Sequence, residues 1–276
     1  MATFVLTSRA LLSLAESVNA PYQICHIVRL SLDGMWAQMM EFLLNIQTLS
    51  QRQLQTLEII VDQPLVGHGY AQSLMGERAL NLELFNASSR DIEMAMRINH
   101  EDNSPGLWSP IIDVRRLLGL HDLDALSYIN ATQASIEAAA LPLHEAQARL
   151  IAIGEARHEN IGSIARRLVS THSRVHRIVM RRTARLQCVR TALAVERYRL
   201  ASGRLPDALW ELVPDFLESV PHDPRDGQQL RYSRRDTGYV IYSIGQDLTD
   251  NQGEEKRTGK ARSKQKEWDV TFIVER

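Results

Sequence analysis

The sequence is poor in cysteine, aromatic residues and lysine. Its only two cysteines, Cys25 and Cys188, lie in apolar helical patterns and cannot form the dense disulfide framework of a small secreted domain. Aromatic residues make up only 6% of the chain, which favours helices over a β-sandwich. No apolar run reaches the roughly 18 residues that a membrane-spanning helix needs. Since the first residues also lack the basic-then-apolar order of a signal peptide, the sequence as written is expected to be soluble.

Charge is nearly balanced overall but unevenly distributed. Residues 1–160 carry ten arginines against 18 acidic residues, and residues 161–206 carry 11 arginines against Glu196 alone. Residues 207–276 have a net charge of −3. A strongly basic segment beside an acidic region indicates either internal charge complementarity or a stripe that binds anions.

Residues 1–160 are predicted to be an all-α region. Its clearest helix covers residues 22–47, where apolar side chains recur at spacings of three and four: Ile24, Ile27, Val28, Met35, Trp36, Met39, Leu43 and Ile46. Ser50 followed by Gln53 is a capping-box pattern that begins the next helix. Further helices are predicted near residues 66–86, 89–98, 110–118, 122–139 and 143–158.

Residues 161–276 predict a different organisation. Residues 161–202 form one long helix, with an apolar seam that Arg182 and Glu196 interrupt. A short helix at 207–213 is followed by alternating segments at 230–233, 239–243 and 269–274, which are typical of antiparallel strands. Residues 251–266 contain all four lysines and are expected to be a mobile insertion. The sequence therefore predicts a mainly α protein: a multi-helix N-terminal region, a long connecting helix and a small C-terminal α+β module with an antiparallel sheet.

An ordered set of motifs follows the long helix: Gly203 to Pro206, Leu212 to Pro214, Pro221 to Pro224, Leu230 to Tyr232 and Gly238 to Asp247. In this order they resemble the C-terminal end of the type II secretion major pseudopilin, over roughly residues 185–276. That resemblance implies a helix packed on a small antiparallel sheet in a protein of the bacterial cell envelope. A pseudopilin has a hydrophobic filament-forming segment where this chain has about 160 residues with helical patterns.

The whole chain more closely resembles bacterial helical proteins that end in this pseudopilin-like module. Gly76 to Ala79 and Leu141 to Leu143 are the N-terminal segments that support this resemblance. Longer members of the group carry an N-terminal membrane anchor, so the resemblance implies that this chain is a shortened member. It implies no enzymatic activity.

The resemblance also implies a calcium site in the C-terminal loop. Ser243, Asp247 and Asp269 match the pseudopilin positions that supply calcium ligands, and Asp250 is a substitute. Calcium prefers such hard oxygen ligands from hydroxyl and carboxylate groups. The alternative is that Asp247 and Asp250 are turn residues and that Asp269 only begins a strand.

Two other clusters are candidates for binding. His172 and His176 have the four-residue spacing of zinc ligands on a helix, but no third ligand is evident. We therefore expect a buried, hydrogen-bonded His172, a more exposed His176 and no metal between them. The arginines of residues 161–202 could neutralise phosphates, but they match no nucleic-acid motif. We expect them instead to pair with acids such as Glu145, Glu155 and Glu159, and nucleic-acid binding is not expected.

No signature of catalysis is present in the sequence, which lacks a nucleophile elbow, a phosphate-binding loop and a dinucleotide fingerprint. The sequence therefore predicts a non-enzymatic interaction or scaffold protein with protein partners. The alternative is a hydrolase or ligand-binding enzyme with its site in a cleft of the helical region. Converging acids and histidines in a deep polar pocket would favour that alternative.

Overall fold

A computed structural model describes residues 10, 14, 17–18, 20–62, 69–98, 108–156, 163–254 and 268–275. The described residues form eight α-helices, one short 3-10 helix and three strands. The helices are α1 (Gln23–Ile46), α2 (Gln51–Asp62), α3 (Tyr70–Asn86), α4 (Ser89–Ile98), α5 (Trp108–Leu117), α6 (Leu120–Ala138), α7 (Leu143–Glu155) and α8 (Ser163–Ser202). The predicted mainly α fold with a small C-terminal α+β module is confirmed.

The 40-residue helix α8 is the element around which the others pack. It contacts α1, α2, α6 and α7 from the N-terminal region, and it also contacts two strands of the C-terminal sheet. Val189 and Leu193 of its predicted apolar seam are fully buried, whereas Leu200 near its end is 43% exposed. The long helix predicted for residues 161–202 is therefore present and buries most of its seam.

The C-terminal module begins with a 3-10 helix, Leu209–Leu212, within the segment predicted as a short helix. Its sheet consists of β1 (Arg231–Arg235), β2 (Gly238–Ser243) and β3 (Val270–Glu275), in that spatial order and with both pairs antiparallel. The central strand β2 is buried along its whole length. One face of the sheet packs on α8 through Tyr239 and Phe272.

Three apolar cores lie along α8. The middle one is small and includes Tyr70, Leu150 and Val175, which pack α3 and α7 against α8. The N-terminal part of α8 packs with α3 to α6 around Phe85, Ile92, Ile112, Tyr128 and Leu168. Its C-terminal part lies in a larger core with residues of α1, α2 and the sheet: Trp36, Met40, Leu44, Leu57, Val189, Leu193, Tyr239 and Phe272. This larger core spans the predicted boundary at residue 160, so α1 and α2 pack with the C-terminal module. The division into regions 1–160 and 161–276 stays a prediction about chain organisation.

Side chains of α1 also bind the backbone of strand β3. The Ile273 amide donates to Glu41 Oε1 at 2.8 Å, and Asn45 Nδ2 donates to the Ile273 carbonyl at 2.7 Å. The Glu275 amide donates to Asn45 Oδ1 at 2.8 Å. Because Glu41 and Asn45 are four residues apart, both project from the same side of the helix toward the strand.

Candidate functional site

The loop predicted to bind calcium is organised by a carboxylate that the sequence patterns did not single out. Asp223 is only 1% exposed, and its Oδ1 accepts hydrogen bonds from the Ser243 hydroxyl at 2.7 Å and the Arg225 amide at 2.8 Å. Its Oδ2 accepts from the Ile244 amide at 3.0 Å and forms an ion pair with Arg231. The signal available in the sequence was the motif Pro221-His222-Asp223-Pro224, whose turn residues place this carboxylate in the loop before β1.

Asp269 holds the other side of the same loop. Its Oδ1 accepts from the Gly245 amide at 3.1 Å, and its Oδ2 accepts from the amides of Asn251 and Gly253 at 3.1 and 2.9 Å. Burial raises the pKa of Asp269, although these hydrogen bonds from the backbone oppose the shift. Both oxygens of this predicted ligand are therefore engaged with the chain itself.

The other two predicted ligands lie on the outside of the loop. Asp247 is exposed and accepts from the Thr249 amide at 3.1 Å, and Asp250 is exposed and accepts from the Gln252 amide at 2.7 Å. A side chain that bonds to the amide two residues later makes a local turn, which is the role the alternative interpretation assigned to them.

Residues 251–254, the start of the predicted insertion at 251–266, belong to this loop, and the mobility of the insertion stays a prediction. The hydrogen bonds from Asn251 and Gly253 to Asp269 fix the start of the segment because buried carboxylates favour such partners. The remainder, residues 255–266 with all four lysines, lies outside the described residues.

The predicted calcium ligands are thus divided between the inside and the outside of the loop. In the part of the chain that the structure describes, no three or more His, Cys, Asp or Glu side chains form a group that could hold a metal ion. Calcium binding at Ser243, Asp247, Asp250 and Asp269 stays a prediction.

If the loop binds calcium, millimolar calcium should raise the melting temperature of the native chain, because a ligand that binds only the folded state stabilises that state. The rise should be absent in Asp247→Ala, whose carboxylate is solvent-accessible, and should be retained in Asp236→Ala, where an exposed acid lies outside the loop. Calorimetry and thermal unfolding measure both effects. If the native chain shows neither heat nor a temperature shift, the loop is an ordinary acidic turn.

The histidine pair lies in the interior of the helical region. The prediction for His172 is confirmed, since it is fully buried and its Nδ1 lies 3.0 Å from the Ser135 hydroxyl oxygen. That hydroxyl donates to the Ala131 carbonyl, so His172 Nδ1 is the donor to Ser135. The expectation of a more exposed His176 is wrong: it is also fully buried, and its Nε2 donates to the Leu143 carbonyl at 2.9 Å. The helix α7, which begins at Leu143, covers the side of α8 that the pattern had left to solvent.

Both imidazoles are neutral in this environment. Burial lowers the pKa of His172 to about 4 and also lowers the pKa of His176. The Nε2 atom of His172 has no hydrogen-bond partner among the described residues, which suits the bare acceptor nitrogen of a neutral ring. Zinc binding by the pair was not expected, and that expectation stays a prediction.

Because His172 is buried as a neutral ring, we expect the free energy of unfolding to fall as the solution is acidified. Because its folded-state pKa is depressed, His172 contributes stability that is present above its ordinary pKa of 6.5 and is lost as the pH falls toward about 4. Between about pH 7.5 and about pH 5 this contribution amounts to roughly 2 kcal/mol of unfolding free energy. Urea unfolding across this range should show a shallower pH dependence in His172→Asn than in the native chain. Parallel pH profiles for the two proteins would contradict the assignment.

Several arginines of α8 pair with acids, as predicted, and the acids observed lie on α1 and α2. Three ion pairs reach from α8 to α1 and α2: Arg182 to Asp33 at 2.8 Å, Arg185 to Glu41 at 3.5 Å and Arg197 to Glu58 at 2.7 Å. By contrast, Glu145 and Glu155 on α7 are exposed, and Glu159 lies outside the described residues. Pairing with Glu145 and Glu155 is wrong for these three arginines, because the part of α8 from which they extend crosses α1 and α2.

The two polar residues that interrupt the apolar seam of α8 are explained by such contacts. Arg182 binds the buried Asp33, whose pKa is raised by burial although the ion pair opposes the shift. Glu196 is 3% exposed, and its Oε1 accepts from the Tyr239 hydroxyl at 3.1 Å. Each interruption therefore marks a place where α8 meets another element through a polar contact.

The surface of the hairpin between α5 and α6 is strongly apolar. Gly119 connects the two helices with a positive φ of 70°, a conformation that glycine adopts without strain. At the tip of the hairpin, Leu117 and Leu118 are 86% and 64% exposed. Exposed apolar side chains continue along both helices, and we call the whole set the hairpin patch: Ile111, Val114, Leu117, Leu118, Leu120, Leu123 and Leu126.

An open groove of about 440 Å³ lies between α1 and β3. It is lined by Gln38, Glu41, Phe42, Asn45, Arg235, Ile273 and Glu275. Glu41 and Asn45 accept hydrogen bonds from the backbone of β3, so these two lining residues have a structural role. The alternative of an enzyme with a cleft in the helical region stays untested.

Neither a known protein family, nor a curated protein, nor a solved structure matches this chain. The resemblance to the major pseudopilin therefore depends on the ordered C-terminal motifs alone.

Proposed function

We propose that this protein is a non-enzymatic interaction protein that serves as a scaffold and binds a protein partner through the hairpin patch. The observation that supports this most strongly is the exposure of seven large apolar side chains on one hairpin. Soluble monomers rarely expose a contiguous apolar patch of more than a few hundred Å², and such a patch usually marks an interaction site. Placement in the bacterial cell envelope belongs to the same proposal and is supported by the pseudopilin-like motifs.

The charges around the hairpin patch favour a protein over an anionic lipid surface. Arg116 donates to the backbone carbonyls of Phe85 and Ala87, and Arg115 pairs with the buried Asp124 at 3.8 Å. The basic side chains that could contact lipid headgroups are thus directed into the protein. Asp113 and Asp122 add negative charge beside the patch, which disfavours an anionic membrane.

The buried polar clusters of the C-terminal loop and of α8 also support an interaction role. Asp223 and Asp269 hold backbone amides of one loop, and the two histidines of α8 hold neighbouring helices. The hydrogen-bonding groups of these clusters stabilise the fold. The exposed apolar side chains of the hairpin patch face solvent and remain available to a partner.

A photo-crosslinking experiment tests the proposal. A photoreactive residue replacing Leu117 should yield one discrete adduct of higher mass in cells, whereas the same residue replacing Ile59 of α2, an apolar side chain 64% exposed, should not. Changing Leu118 and Leu120 to glutamate should abolish the adduct because charges are costly in a desolvated interface. Equal labelling from positions 117 and 59, or an adduct that survives the double change, would overturn the proposal.

A further inference from the structure

The exposed side of helix α1 is rich in apolar side chains, although the polar residues Ser31 and Gln38 are exposed there too. Toward solvent it presents a row of apolar side chains that we call the outer seam: Cys25, Val28, Leu32, Met35, Met39, Phe42 and Ile46. Val28, Met35, Phe42 and Ile46 are 41%, 53%, 65% and 60% exposed, and the other three are half-buried. A row of exposed apolar side chains of this length is typical of an interaction surface.

The spacing of the outer seam is that of paired helices. Its members alternate steps of three and four residues from Cys25 to Ile46, an average of 3.5. This heptad period keeps one row of side chains facing a second helix along the full length of a contact. The sequence pattern had combined the outer seam with buried residues such as Trp36 and Leu43, so only the structure separates the two faces.

The outer seam carries no charge. Helix α1 has three charged residues, and all are directed elsewhere: Arg29 and Asp33 are buried, and Glu41 binds Arg185 and the backbone of β3. Since residues 1–160 also carry an excess of eight acidic charges, an anionic lipid surface is a poor occupant. Because the outer seam is uncharged, no charge repulsion acts against its contact with a second copy of itself.

We propose that the outer seam binds the outer seam of a second copy of this chain, with the two α1 helices antiparallel. This inference rests on the proposed function and names one of its partners, but it uses a different face. In a two-fold arrangement centred near Met35, Val28 lies opposite Phe42 of the partner subunit, and Cys25 lies opposite Ile46 of the partner subunit. Small residues at one end of the seam therefore meet large residues at the other, as close packing requires.

A parallel pair fits less well, because it places Phe42 against Phe42 of the partner subunit at one end and the small residues together at the other. Such pairing leaves a bulge at one end and a gap at the other. The contact is also limited in size. A helix of 24 residues is about 36 Å long and about 10 Å wide, so the two contacting faces cover roughly 700 Å², which is below the size of a standard stable interface and typical of a weak, reversible one. A reversible dimer with a Kd in the micromolar range is expected.

Disulfide crosslinking tests both the pairing and its direction. Cys25 is the accessible thiol of the native chain, because Cys188 is buried. In the antiparallel dimer the two Cys25 residues are separated by about 30 Å along the helices, so the native chain should not crosslink under mild oxidant. The variant Ile46→Cys should form a covalent dimer through Cys25, visible on a non-reducing gel. The control Ile59→Cys, on the exposed surface of α2, should not crosslink.

Sedimentation analysis provides the second measurement. The native chain should change from monomer to dimer with rising concentration, and Met35→Glu or Phe42→Glu should weaken the dimer at least 100-fold. Circular dichroism should show that these exposed changes leave the fold intact, and Ile59→Glu should leave the dimer unchanged. A native chain that stays monomeric to about 100 μM, or crosslinking of native Cys25 to itself, would overturn the antiparallel dimer.

The two proposals can fail separately. Glutamate substitutions in the hairpin patch should leave dimerisation unchanged, and glutamate substitutions in the outer seam should leave the photo-crosslink from position 117 unchanged. A monomer that still forms the position 117 adduct would overturn only the dimer. A dimer without that adduct would overturn only the hairpin interface.

Discussion

Replacing Asp223 by alanine is expected to lower the free energy of unfolding by about 4 kcal/mol, the range seen when a buried ion pair loses one partner. The change removes the acceptor for the Ser243 hydroxyl and for the amides of Arg225 and Ile244, and it leaves Arg231 with Asp226 as its remaining acidic partner. Unsatisfied buried donors add their own desolvation cost. Denaturant unfolding, monitored by circular dichroism, measures the loss.

The loop itself supplies a matched control for this prediction. Asp247→Ala removes an acid of the same type from the exposed side of the loop and should change stability by less than about 0.5 kcal/mol, as is usual at the surface. Equal losses in the Asp223 and Asp247 variants would show that burial and hydrogen bonding do not distinguish the two carboxylates. Calcium added to both variants would separate a structural role from a ligand role.

Replacing Asp33 by alanine is expected to destabilise the protein by about 3 kcal/mol, because the change leaves buried basic groups without their counterion. Asp33 is 3% exposed and accepts a hydrogen bond from Arg182 Nε at 2.8 Å, and Arg29 is buried one turn before it in α1. The contact joins α1 to α8, and both helices contribute to the larger apolar core, so its loss should destabilise that core. The unfolding midpoint in denaturant is the quantity to compare.

A double-mutant cycle with Arg182→Met separates the pair from its surroundings. If the two side chains act on each other, the double variant should be less destabilised than the sum of the single variants. Additive losses would show that each residue contributes independently. The exposed pair of Arg235 and Glu275, 31% and 54% exposed, serves as the comparison, since surface ion pairs contribute little.

Much of the fold follows from periodicity, because an amphipathic helix or a half-buried strand must repeat its apolar residues at a fixed spacing. The strand predicted at 239–243 is observed as Gly238–Ser243, and the helix predicted at 89–98 is observed as Ser89–Ile98. Half of the predicted capping box at Ser50 is observed: the Ser50 amide donates to Gln53 Oε1 at 2.8 Å, and the Ser50 hydroxyl donates to the same oxygen at 3.0 Å. These features are local, so the sequence alone specifies them.

The features that the sequence did not predict depend on which elements meet. The burial of His176 is decided by α7, and the partners of the α8 arginines are decided by the course of α1 and α2. Asp223 was missed because its contacts lie about 20 residues away in Ser243 and Ile244. Periodicity predicts a single apolar face for helix α1. The spacing of apolar residues alone does not show which of them face the core and which face solvent.

The bonds from Glu41 and Asn45 to β3 decide how the sheet can grow. An outermost strand with free amides and carbonyls is a template for strands of other chains, and such templates drive aggregation. Here the side chains of a helix occupy the outward groups of Ile273 and Glu275. A strand from another chain is therefore excluded from the outer edge of β3. Any strand added to the sheet must pair with β1 at the opposite edge.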